Sequence, residues 1–77
     1  MSDTLMWEVR AVPGRRDDLL RWVEATVQRE ADIYLGGQDR IVVIARGVAK
    51  LPDPPEELVA RPVHQWPFQH HRRVAGE

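Results

Sequence analysis

Ile41, Val42, Val43, Ile44 and Ala45 stand side by side in the sequence. Successive side chains of a strand point to opposite faces, so a strand built from these five is apolar on both. Such a strand belongs inside a sheet whose two faces are both covered. No other feature constrains the fold as tightly, because seventy-seven residues leave little chain to do the covering.

The energetics point the same way. At ~25 cal/mol/Å², the apolar area that a chain of this size removes from water stabilises it by about 120 kcal/mol. Ordering the backbone and side chains at ~1.5 kcal/mol per residue costs about 115 kcal/mol. Scaffolds so nearly balanced gain stability from a disulfide, a metal or a partner. The chain has no cysteine, which excludes disulfides and thiolate metal sites. A homodimer is the simplest remaining expectation.

Other classes are poorly supported. No apolar run approaches the ~18 residues of a membrane span. The opening Met1-Ser2-Asp3-Thr4 lacks the basic and then apolar pattern of a secretory leader, so the cytoplasm is the expected compartment. A net charge of −1 provides no global field for nucleic acid, and no aromatic-basic interleaving appears. Gly36-Gly37 lacks the lysine and following helix of a phosphate loop. Ser2 is the single serine and stands at the N-terminal end, where a frayed backbone is expected, so there is no Ser–His–Asp arrangement to defend. No cofactor is implied.

Along the chain, Leu5, Trp7, Val9 and Ala11 alternate with Met6, Glu8 and Arg10, predicting a strand over 5–12 that Pro13-Gly14 ends. A helix is expected over 15–31, with Asp17 and Asp18 in its first turn and Leu19, Leu20, Val23, Val27 and Ala31 on one arc. Strands over 32–35 and 40–47, joined by Gly36-Gly37-Gln38-Asp39, read as a hairpin. Leu51-Pro52-Asp53-Pro54-Pro55 is an extended connector, and a short helix over 56–60 ends at Arg61-Pro62. A last strand over 65–74 carries Trp66 and Phe68 on one face, and Pro67 places it at a sheet edge or a bulge.

These elements form one α+β domain over residues 1–77, in the order β-α-β-β-(short α)-β, with the helix covering about three strands on one face only. The other face is expected to associate with a second copy. The strings Met6-Trp7-Glu8-Val9-Arg10, Pro13-Gly14-Arg15, Val42-Val43-Ile44-Ala45 and Pro62-Val63-His64-Gln65-Trp66-Pro67-Phe68 together resemble small actinobacterial proteins of the dimeric α/β-barrel group. That group includes the antibiotic-biosynthesis-monooxygenase-like proteins. The resemblance implies an antiparallel ferredoxin-like sheet, a homodimer, and a cavity between each sheet and its helix. It also implies cofactor-free oxidation or rearrangement of an aromatic or polyketide-like compound, or haem degradation. Asparagine with tryptophan serves that chemistry in the group; this chain has no asparagine.

Several side chains are candidates for a site. Trp22, Trp7 and Arg10 are the candidate catalytic or orienting groups, and Trp66, His64 and Phe68 the candidate ligand-binding ones. With Tyr34, the tryptophans and Phe68 can line a pocket for a flat ring. The plainer reading makes Trp7 and Phe68 core, and Trp22 and Trp66 interface. Glu8, Arg10 and Arg46 lie within strands that otherwise read as buried, where a charge orients an anion or forms an ion pair. His70 and His71 are adjacent and point to opposite faces of a strand, a poor metal chelate; no metal ligand is assigned. Three functions stay open: a monooxygenase-like enzyme, a non-enzymatic homodimer that binds a small apolar or aromatic ligand or assists another enzyme, and metal or haem binding through the C-terminal histidines.

Overall fold

The computed structural model describes residues 3–48 and 50–76; Ser2 lies outside them. The alternating stretch forms strand β1, Asp3–Arg10. Leu5, Trp7, Val9 and Ala11 are all buried, as the period of two requires. Pro13-Gly14 then makes a tight turn in which the Val12 carbonyl accepts the Arg15 N–H at 2.8 Å. Gly14 has φ 81°, the left-handed value that the third residue of a type II turn needs. A Cβ there would meet nothing within 4 Å, so the cost of adding one is conformational alone. Gly14→Ala is expected to cost about 1–2 kcal/mol, lowering the melting temperature by about 4–8 °C per kcal/mol in a thermal scan.

Helix α1, Arg16–Thr26, lays Leu19 and Val23 into the core, with Leu20, Trp22 and Val27 packed against it. It is shorter than the apolar arc predicts. Val27 is already extended (φ −82°, ψ 96°), and Ala31 opens strand β2, Ala31–Gly36, opposite Ala45. Pairing with the sheet captured residues whose spacing also suits a helix. The Glu30 carbonyl accepts the Arg46 N–H at 3.2 Å and holds this re-entry.

Strand β3, Arg40–Arg46, follows a loop of three residues rather than four, because Gly36 still pairs with Arg40. Gly37 takes φ 58° at that turn, and Arg16 Nη1 donates to its carbonyl at 2.8 Å, tying the start of α1 to the hairpin. The expected short helix is a single 3-10 turn, Glu56–Leu58. Val59 then bridges Ala11, leaving no further residues for a helix. Strand β4, His64–Gln69, ends opposite Asp3, the first residue of its partner β1, and so is shorter than the alternation suggests.

The four strands form one antiparallel sheet in the order β2-β3-β1-β4. β3 is therefore interior, as its apolar run demands, and Pro67 falls on an edge strand. The helix covers β1 and β3. On β2 the helix-side residues Ile33 and Leu35 stay exposed, so α1 covers two strands fully rather than three. Toward β4 the connector takes over, burying Leu51, Pro54 and Leu58. The Gln65 amide fixes it by accepting from the Leu51 N–H (3.0 Å) and donating to the Leu51 carbonyl (3.3 Å). Among the described residues, no helix is long and apolar enough to cross a membrane.

Candidate functional site

Register decides which candidate side chains can meet. Leu5 pairs with Pro67 and Ala45, so every odd-numbered residue of β1 faces the helix. Even-numbered ones face the open side. Crossing that side in rows, Arg46, Thr4 and Phe68 align first; Asp32, Ile44, Met6 and Trp66 follow; then Tyr34, Val42, Glu8 and His64; and last Arg40 and Arg10.

The sheet thus divides the six candidates. Trp7 lies under the helix, 1 % exposed, with its ring stacked on Trp22 at 6.5 Å and 25°. Trp7, Leu5, Val9, Leu19 and Val23 fill the layer between helix and sheet, and none of the surface grooves described below is lined by Trp7 or Trp22. The buried Trp7 indole N–H has no hydrogen-bond partner among the described residues. Trp66, His64, Phe68 and Arg10 lie on the open face. Phe68 is 52 % exposed: Pro67 takes the position over Leu5 and turns Phe68 outward, so it is not core. His64 meets Trp66 edge to face at 5.5 Å.

The open face has an apolar block and a charged end. Met6, Val42 and Ile44 are half-buried, and Tyr34, Trp66 and Phe68 are exposed around them. At the charged end Glu8, 16 % exposed, pairs with Arg40, and Arg10 pairs with Asp39 at 3.4 Å. On the opposite flank, Arg46 reaches Glu30 at 3.5 Å and Asp32 at 3.8 Å. Asp18, at the start of α1 and remote from this face, is held below the usual carboxylate range by the hydrogen bond from Arg15, with Arg21 adding to it.

A groove of about 200 Å³ opens beside the charged end, lined by Glu8, Val9, Arg10, Arg40, Arg61, Pro62 and His64. A break in pairing creates it. Glu8 pairs with His64, and Ala11 bridges Val59. Between those pairs Val9 and Arg10 confront four residues, Ala60 to Val63, so the second strand must bulge away from the first. Pro62 has no N–H for a ladder and favours that departure. The Ala60 N–H closes the bulge on the Arg10 carbonyl at 2.9 Å. A second groove of about 350 Å³, lined by Val63, His64, Gln65 and Trp66, shares His64 with the first. A third, of about 440 Å³, follows the connector from Asp53 to Val63.

Two residues of the charged groove escape sequence reasoning. Arg61 reads only as part of a helix stop, and Arg40 only as the start of a strand. Nothing local marks either, because the bulge that brings Arg61 to Glu8 and Arg40 depends on long-range register. His70 and His71 lie past β4, and among the described residues no three His, Cys, Asp or Glu side chains gather as a metal site needs. Comparison with protein-family models, with curated proteins and with solved structures gives no match.

Proposed function

We propose that the chain is a homodimeric ligand-binding protein with a ferredoxin-like arrangement, its two copies packed through their open sheet faces as in a dimeric α/β barrel. The observation that carries this reading is the apolar block of Met6, Val42 and Ile44 with Tyr34 and Phe68 beside it, which nothing among the described residues covers. Contiguous apolar surface of this kind marks an association or binding site. The strand order β2-β3-β1-β4 is the one a ferredoxin-like sheet has. A twofold axis through the block sets each copy's Ile44 and Met6 against their equivalents and leaves the charged end and the β4 edge, with His64 and Trp66, at the rim.

Binding fits better than oxidation because Trp7 and its neighbours fill the layer between helix and sheet. A monooxygenase-like reaction would need a space that the second copy encloses. Light scattering over a dilution series tests the assembly: a molar mass near twice 8.9 kDa that holds on dilution is the expected result. A mass that stays at one chain overturns the dimer.

A further inference from the structure

The charged groove and the Trp66 groove share His64 as a common boundary. Three guanidinium groups line the first groove against one carboxylate. Arg40 is engaged by Glu8 and Arg10 by Asp39. Arg61 is exposed and has no ion-pair partner among the described residues. The groove therefore offers one uncommitted positive charge in a fork geometry that matches a carboxylate. A doubly charged phosphate would have to sit against the Glu8 carboxylate with a single free cation to balance it, which favours a monoanion.

The neighbouring groove supplies the other half. His64 forms the boundary of both spaces, and Trp66 stands on the far side of it with 40 % of its surface open. A flat ring laid against Trp66 and His64 gains aromatic contact area while its charged end reaches Arg61.

We propose that the two grooves form a single site for an aromatic carboxylic acid, with Arg61 holding the carboxylate and Trp66 and His64 holding the ring. The proposal rests on the reading of the chain as a ligand-binding protein and names the class of ligand. Every lining residue belongs to one chain, so the site does not require the dimer.

The probes are 2-naphthoate and 2-naphthalenemethanol, which share a ring system and differ in charge. Each is titrated into the ¹⁵N-labelled full chain, following the Trp66 indole N–H and Arg61 Nε–H signals, while light scattering on the same samples records the mass. Naphthoate is expected to shift both signals and the alcohol to bind about tenfold more weakly, the usual scale for one charge-assisted contact. Arg61→Gln, at an exposed position, should keep the fold and lose about tenfold in naphthoate affinity, with the salt dependence of binding reduced. Equal binding of the two probes, equal binding by Arg61→Gln, or tighter binding of inorganic phosphate overturns the proposal. A dimeric mass with no naphthoate shift rejects this ligand class and leaves the assembly standing. A monomeric mass with the expected shifts rejects the assembly and supports the site.

Discussion

Trp7→Ala is expected to destabilise the chain by about 3–5 kcal/mol, a large share of all the stability a chain of this size has. Trp7 is the largest fully buried side chain, and it touches the helix layer through Trp22 while sitting between Leu5 and Val9 on β1. Truncating a buried tryptophan costs about 3–5 kcal/mol, part lost transfer energy and part residual cavity. At the usual ~0.05–0.15 kcal/mol per residue, a chain of this size holds about 4–12 kcal/mol in all. The loss consumes between about a quarter and all of that. Trp7→Phe should be far milder, under about 2 kcal/mol, because the smaller ring also removes an indole N–H that is buried with no partner among the described residues. Urea unfolding followed by circular dichroism measures both. A Trp7→Ala protein within about 1 kcal/mol of the parent would mean that the layer under α1 is not the core.

The second large effect is on association. Ile44 lies in the middle of the open face, between Asp32 and Met6 in its row and beside Val42 along the strand. Ile44→Glu should weaken the dimer by at least ~100-fold, about 2.7 kcal/mol, since an unpaired charge buried at an interface costs several kcal/mol. Twofold symmetry places the substitution in the interface twice. In the monomer the same glutamate faces water, so the fold should persist by circular dichroism while the sedimentation coefficient falls to that of one chain. Glu24→Lys, on the exposed side of α1, is the matched control and should leave the mass unchanged. If Ile44→Glu stays dimeric, the copies meet through another surface, and the exposed Ile33 and Leu35 of the β2 edge become the place to look.

Much of this architecture was readable along the chain. The period of two in β1, the Pro13-Gly14 turn, the apolar run of β3 and the sharing of one strand face by Trp66 and Phe68 all follow from local side-chain order. Element ends were less so: Val27 and Ala31 suit a helix by spacing, and only the competing partner at Ala45 draws Ala31 into a strand. For the site, His64, Trp66, Phe68 and Arg10 could be singled out by type and position. Arg61 and Arg40 could not, because neither has a local signature.

What the sequence alone determined is the set of elements and the apolar face each must bury, since both depend on neighbours two to four residues apart. What only the tertiary structure decided is which side of the sheet each candidate occupies. That depends on register. Pairing Leu5 with Pro67 sends Trp7 inward and Phe68 outward. Two extra residues opposite Val9 and Arg10 open the groove that gathers Arg61, Arg40, Glu8 and His64. A shift of one position would have moved every one of these side chains to the other face.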